Sequence, residues 1–137
     1  MSKVTRRITE GGKRTVIGKL LEHGLDVFVP YVSVEGIDCA VRNGKGRYAE
    51  IQIRVRGSKG KYAHLYQVSD LEQRWNSYVI CHERGTDDYF VFPATIFARE
   101  SVTAPLRKSR RRIHGLRLTE KKKERLAQYL NGFCELE

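Results

Sequence analysis

A strict alternation of polar and apolar side chains between Glu50 and Val55 is the most constraining feature of this sequence. Successive side chains of a β-strand point to opposite faces of the sheet, so Glu50, Gln52 and Arg54 should share one face. The isoleucines and the valine between them should cover a hydrophobic core. A second polar cluster ends at Asp38, before the glycine-rich turn 43–46, and it predicts a neighbouring strand that brings a carboxylate to the same region.

The remaining pattern predicts an α/β fold with a mixed, mostly antiparallel central sheet flanked by helices. The first helix should begin with Thr9 as N-cap and end at Gly24, because apolar residues recur at helical spacing between these positions. Pro93 can open a short helix through Phe97, and Thr119 should cap a final helix. The predicted strands are 25–29, 36–41, 48–56, 78–82, 89–93 and 113–118, and the other helical segments are 70–75 and 119–130.

The length of 137 residues suits one domain spanning 1–137, with enough chain for a real core. No apolar run is long enough to cross a bilayer and no secretory signal follows the basic N-terminus, so we expect a cytoplasmic protein without a membrane partner. Three widely spaced cysteines indicate reduced thiols. Cys81, His82 and His114 leave a zinc site open as an alternative, although their spacing is not typical of ligands.

The positive charge of the chain is concentrated in one segment. The formal net charge is +10, yet residues 107–125 alone carry ten basic and two acidic side chains. Such a patch favours an anionic partner, and nucleic acid fits better than a membrane because no large apolar face accompanies the charge. The alternative is a solvated basic loop and helix end.

The order of these motifs along the chain resembles the PD-(D/E)xK nuclease superfamily, and most of all small proteins related to restriction endonucleases and archaeal Holliday-junction resolvases. The resemblance covers most of the chain and depends on the order and spacing of short motifs. The matching segments are 24–30, 35–38, 50–54, 77–80, 89–93 and 129–131.

This resemblance implies a metal-dependent DNA endonuclease that hydrolyses phosphodiester bonds, with branched or junction DNA as a candidate substrate. It places the metal ligands and catalytic positions at Asp38, Gln52 and Arg54, with Glu50 as a further carboxylate on the same strand face. Asp38, Glu50 and Gln52 would bind Mg²⁺ or Mn²⁺, which prefer oxygen ligands. Arg54 would hold the phosphate. Many relatives are dimers, so a homodimer is an expectation.

Two positions depart from the family pattern. Arg54 stands where the family has lysine, and arginine stays protonated and clamps phosphate, so it is a poor general base. Lys13 stands in the first helix where relatives often have a glutamate, although Glu10 could substitute if the helix starts early. A catalytically weakened nucleic-acid-binding module on the same fold therefore stays open as the alternative, and RNA as an alternative partner.

We predict that two parts of the chain hold the nucleic-acid backbone. They are the flexible basic loop 59–61 and the basic segment 107–123. Trp75, Tyr62 and Tyr66 are candidates for stacking on bases, although aromatic residues at such positions more often pack in a core. The predicted backbone contacts are Lys59, Lys61, Arg107, Lys108, Arg110, Arg111, Arg112, Lys121, Lys122 and Lys123.

Overall fold

A computed structural model describes residues 3–105 and 112–137, and of residues 3–10 it describes the backbone alone. The elements are α1 (Lys3–Glu22), β1 (Asp26–Phe28), β2 (Cys39–Arg42), β3 (Tyr48–Arg56), β4 (Leu65–Ser69), β5 (Ser77–Glu83), β6 (Tyr89–Pro93), α2 (Ala94–Glu100), β7 (Val102–Pro105), β8 (Arg112–Arg117) and α3 (Glu120–Arg125), followed by 3₁₀ turns Ala127–Tyr129 and Phe133–Leu136.

The central sheet has five strands in the order β1-β2-β3-β5-β6. Strand β3 pairs in parallel with β5, and the other three pairings are antiparallel. The predicted mixed, mostly antiparallel sheet flanked by helices is confirmed. The parallel pairing requires a crossover between β3 and β5, and this crossover contains β4.

A second sheet of three strands, in the order β4-β8-β7, lies against the other face of the central sheet. One hydrophobic core forms between α1 and the central sheet and includes Val16, Leu20, Ile51 and Ile53. The other core lies between the two sheets and contains residues such as Tyr66, Val79 and Phe92. Strand β3 therefore turns its isoleucines toward α1, as its alternation predicts.

Glycine residues fix both the packing and the end of α1. A β-carbon at Gly12 would lie 2.9 Å from Cγ2 of Val55, so the helix backbone lies directly on β3. Gly24 has a φ of +77° in the turn that follows the helix, and the predicted C-terminal stop is confirmed. Helix α1 begins at Lys3, earlier than the predicted cap at Thr9.

Two strands were missed, and three predicted segments have other bounds or another structure. The strand predicted at 36–41 begins only at Cys39. Strands β4 and β7 were not predicted, because both are short and gain their hydrogen-bond partners from β8, which for β4 is distant in sequence. The segment 70–75 is irregular and not helical. Thr119 does cap α3, accepting a bond from the backbone N–H of Lys122 at 3.2 Å, but the α-helix ends at Arg125 and a 3₁₀ turn follows.

None of the helices in residues 3–105 and 112–137 has the length and hydrophobicity that a membrane crossing requires.

Candidate functional site

The pairing of β2 with β3 brings Asp38 next to the polar face of β3. Cys39 lies opposite Ile51, so extending the antiparallel register by one residue sets Asp38 opposite Gln52. The backbone N–H of Asp38 donates to the carbonyl of Ile51 at 2.8 Å, which fixes this position just before β2 begins. Asp38 and the polar residues of β3 therefore lie side by side, as the alternation predicts.

The Asp38 carboxylate accepts hydrogen bonds from three directions. Its Oδ1 accepts from Nζ of Lys13 at 2.7 Å, which links the site to α1. Its Oδ2 accepts from the backbone N–H of Ile53 at 2.7 Å and from Nη1 of Arg54 at 3.1 Å. A carboxylate has about four acceptor sites, so these contacts leave about one open, on Oδ1.

Arg54 joins the two sheets as well as contacting Asp38. Its Nε donates to the backbone carbonyl of Gln67 in β4 at 2.9 Å, and its Nη1 donates to the carbonyl of Ile53 at 2.8 Å. Its Nη2 donates to Oε1 of Gln52 at 3.1 Å. Four of the five guanidinium N–H groups are thus used within the chain, and one remains on Nη2. The site is rigid around Arg54.

Gln52 is buried, with 6% of its surface exposed. The turn before β2 approaches it closely, because a β-carbon at Gly36 would lie 3.4 Å from Nε2 of Gln52. Gly36 also has a φ of +81°, which side chains other than glycine rarely adopt. The glycine thus shapes the wall beside the amide group.

Glu50 lies on the same strand face as Gln52 and Arg54, but its side chain lines a recess that does not include Asp38. With Gln52 it lines a recess of about 200 Å³ that also includes Glu35, Arg74 and Ser77, while Asp38 is not part of its lining. The Oε1 of Glu50 lies 3.5 Å from Nη1 of Arg74. Gln52 therefore stands between the two carboxylates, with Asp38 on one side and the recess of Glu50 on the other.

The oxygen donors suit a hard divalent cation. Asp38 offers a carboxylate oxygen and Gln52 an amide oxygen, and each keeps acceptor capacity beyond its bond to Arg54. Magnesium is usually held by one or two protein ligands, with water and phosphate completing its shell. Among the described side chains, those of residues 11–105 and 112–137, no three His, Cys, Asp or Glu come together as a metal-binding group.

The zinc alternative receives no support from the described residues. Cys81 is buried in the core between the sheets. His82 stacks on Tyr89 with ring centroids 4.0 Å apart, and His114 lies beside Ser101 and Thr103 in the second sheet region. These side chains have structural contacts and form no metal-binding group in the part of the chain that the structure describes.

The predicted nucleic-acid contacts have different environments. Lys59, Lys61 and Arg112 are exposed, as is Lys121. Lys122, by contrast, donates from Nζ to the carbonyl of Glu100 at 3.0 Å. The Nζ of Lys123 lies 3.4 Å from Oε1 of Glu120 and 3.9 Å from Oε1 of Glu83. Arg107, Lys108, Arg110 and Arg111 lie outside the described residues.

The three candidate stacking residues also differ in exposure. Trp75 is 81% exposed and Tyr62 is exposed as well, with Nζ of Lys61 5.7 Å from the Tyr62 ring centroid. Tyr66 is buried in the core between the two sheets. It packs inside the protein and does not present its ring for stacking on a base.

Sequence reasoning gave no role to Lys13 beyond its departure from the family pattern. Its contact with Asp38 spans 25 residues of sequence and depends on how α1 crosses β3. The available signal was its place in the first helix, at the position that the resemblance pairs with a glutamate. The bond from Arg54 to β4 had no sequence signal, because β4 itself was not predicted.

The fold is endonuclease-like. A solved structure of a bacterial homing endonuclease, I-Ssp6803I, matches 96% of this chain and 92% of its own chain with a TM-score of 0.65. The sequence identity is 16%, so the likeness is one of fold. No family model and no curated protein matches the sequence.

Proposed function

We propose that this protein is a metal-dependent DNA endonuclease that hydrolyses phosphodiester bonds. The observation that carries the proposal is the hydrogen-bonded group of Asp38, Gln52 and Arg54, at the site that the resemblance assigns, in a chain with a nuclease fold. The fold alone is compatible with other activities, so the residues of the site have to support the chemistry.

Asp38 and Gln52 would hold Mg²⁺ or Mn²⁺ through their oxygens. When bound, such an ion polarises the phosphoryl oxygen and lowers the pKa of a water molecule. Glu50 would assist from the neighbouring recess, because its contact with the exposed Arg74 is long and such surface pairs hold weakly. Its carboxylate is therefore available to turn toward the site.

Arg54 would contact the substrate phosphate with its remaining Nη2 N–H. A single N–H gives one charge-assisted hydrogen bond and not the bidentate clamp that a free guanidinium offers. The anchoring of Arg54 to Gln67 and Ile53 fixes where that N–H points. The phosphate would thus be positioned by a rigid donor.

The exposed basic residues would hold the DNA backbone. Lys59, Lys61, Arg112 and Lys121 are the described members of this set, and the sequence adds four more basic residues directly before Arg112. Each neutralised phosphate contributes about −0.9 to the slope of log affinity against log salt. Lys122 and Lys123 contribute less to binding, because backbone and carboxylate groups already engage them.

A DNA-binding module without nuclease activity is the second candidate. It is favoured by the occupation of both Asp38 oxygens by cationic side chains and by Arg54 in place of lysine. In that case the network around Asp38 would be purely structural. RNA would be a further substrate to compare with DNA in both cases.

The test is cleavage and binding of linear duplex, branched, single-stranded DNA and RNA with Mg²⁺ or Mn²⁺. We expect the wild type to cut at least one DNA substrate, and Asp38→Asn to bind it without cutting. Asp26→Asn is the matched control, because Asp26 also pairs with an arginine, Arg42 at 2.8 Å, and this pair joins β1 to β2 outside the site. Binding without any cutting by the wild type would favour the second candidate.

A further inference from the structure

We propose that Lys13, carried by α1, is a catalytic residue of this site and supplies the mobile positive charge that Arg54 cannot. This inference rests on the proposed function. The water oxygen bonds to phosphorus as the bond from phosphorus to the leaving oxygen breaks. One proton of that water goes to solvent, and the leaving oxygen takes one proton from solvent. The Lys13 ammonium stays charged and stabilises the negative charge that develops at the attacking water and the phosphate.

The first argument is the oxygen that Lys13 contacts. Its Nζ lies 2.7 Å from Oδ1 of Asp38, the oxygen that keeps an open acceptor site. Oδ2 is fully used by Ile53 and Arg54. Lys13 therefore stands beside the carboxylate oxygen that still has an acceptor site for an ion or a water molecule.

The second argument is the number of donors that each cation has left. Lysine carries three N–H donors, and the bond to Asp38 uses one, which leaves two for water and phosphate. Arg54 has one N–H left and is tied to both sheets. Lys13 also has a flexible four-carbon stem and is 33% exposed. Its ammonium group can therefore move toward the phosphate as negative charge develops there.

The third argument is the way α1 is seated. Gly12 lets the helix backbone touch Val55 of β3, and Val16 on the next turn is fully buried. The backbone of Lys13 is therefore held at a fixed height above β3. From there its side chain reaches Asp38, just before the start of β2.

The experiment compares the wild type with Lys13→Gln in three measurements: Mn²⁺ affinity, DNA affinity and the single-turnover cleavage rate at saturating metal and DNA. Removing the ammonium takes a like charge away from the ion, so the Mn²⁺ affinity should rise. The cleavage rate should nevertheless fall about 100- to 1,000-fold, the usual effect of removing one transition-state donor. The DNA affinity should stay within about threefold, because one phosphate contact of several is lost.

Lys19→Gln is the matched control. Lys19 lies on the same helix, is 32% exposed and pairs with Glu22 at 3.3 Å, so it shares the exposure and the pairing of Lys13 without facing the site. Its loss should leave all three measurements unchanged. Lys13→Met retains the apolar part of the side chain and should behave like Lys13→Gln.

Two results would overturn the assignment, and they differ. If the wild type cuts and Lys13→Gln cuts equally fast or faster, Lys13 is only a counter-ion of Asp38 and the proposed function survives. If the wild type cuts no substrate, the proposed function fails together with the role of Lys13.

Discussion

Asp38 carries one negative charge between two positive side chains, Lys13 and Arg54. Without an ion the immediate site already has an excess of positive charge, and a divalent cation adds to it. A substrate phosphate offsets that excess. The ion and the DNA should therefore help each other to bind, because coupling between two ligands is reciprocal.

We predict that the Mn²⁺ affinity of the protein rises about tenfold when an uncleavable DNA is present, within the usual range of such coupling. Titration of Mn²⁺ followed by electron paramagnetic resonance, with and without the DNA, measures the difference. Asp38→Asn should abolish the gain. An equal affinity in both titrations would show that the metal and the phosphate do not meet at this site.

Arg54 is a structural residue as much as a candidate phosphate ligand. Arg54→Ala should lower the free energy of unfolding by about 2 kcal/mol, because a charged donor to partly buried carbonyl and carboxylate groups is removed. Urea unfolding measures this change. Arg74→Ala is the control and should cost less than about 1 kcal/mol, since Arg74 is exposed, its contact with Glu50 is long and its partner Glu72 is exposed. Equal losses would contradict the bracing role of Arg54.

At the scale of single residues, the sequence predicted the site to the extent that local alternation determines it. Gln52 and Arg54 share a face because they are two residues apart on a strand, and Asp38 joins them through the neighbouring strand. The contacts of Lys13 with Asp38 and of Arg54 with Gln67 depend on packing between distant elements. A single sequence contains no local pattern for such contacts.

Helix α1 brings a second cation, Lys13, to the site. Two adjacent glycines of this helix lie on different faces, one exposed and one packed on β3. A β-carbon at Gly11 would meet nothing within 4 Å, whereas one at Gly12 would press on Val55. The two positions have the same helical backbone and differ in what surrounds them.

We predict opposite effects for the two alanine substitutions. Gly11→Ala should raise the free energy of unfolding by about 0.5–1 kcal/mol, because alanine restricts the unfolded chain and favours the helix. Gly12→Ala should be at least about 1 kcal/mol less stable than Gly11→Ala, because the added methyl group overpacks the contact with β3. Thermal or urea unfolding of both variants decides, and a Gly12→Ala variant as stable as Gly11→Ala would contradict the close packing of α1.

Among the elements, those with strong local patterns were predicted and the others were not. Strand β3 has the predicted bounds, Tyr48–Arg56, because nine alternating residues leave little choice. The short strand β4 follows a glycine-rich loop, and its sequence alone predicts irregular structure. It is a strand because it pairs with β8. The segment 70–75 has polar and aromatic residues without helical spacing, and the chain leaves it extended or bent.

The molecule has one hydrophobic core on each face of the central sheet, and each core contains one cysteine. Cys39 lies in the core beneath α1 and Cys81 in the core between the sheets, while Cys134 is exposed. Burial, with a smaller effect from the Asp38 charge, raises the pKa of the Cys39 thiol to about 12. Burial also raises the pKa of Cys81.

We predict that one thiol of three reacts rapidly with a disulfide reagent in the native protein, because reaction requires an accessible thiolate. All three should react in denaturant. Cys134→Ser should remove the rapid phase and leave the other two thiols protected. Rapid reaction of a second thiol in the native state would show that one of the two cores is not packed as described.

The fold was easier to predict than the function. The order of helices and strands along the chain indicates the sheet, and the fold follows from it. Function depends on whether Asp38 and Gln52 bind an ion while Lys13 and Arg54 remain beside them. That balance of charge concerns a few side chains, and the fold is compatible with either outcome.

A crystal structure of the protein with uncleavable DNA and Mn²⁺, with data collected at the manganese absorption edge, decides whether Asp38 and Gln52 bind an ion together. We predict one anomalous peak within about 2.3 Å of both an Asp38 carboxylate oxygen and the Gln52 amide oxygen, with the Lys13 ammonium beside the phosphate. DNA bound to the protein without a manganese peak, and with Lys13 and Arg54 still closed on Asp38, would contradict it.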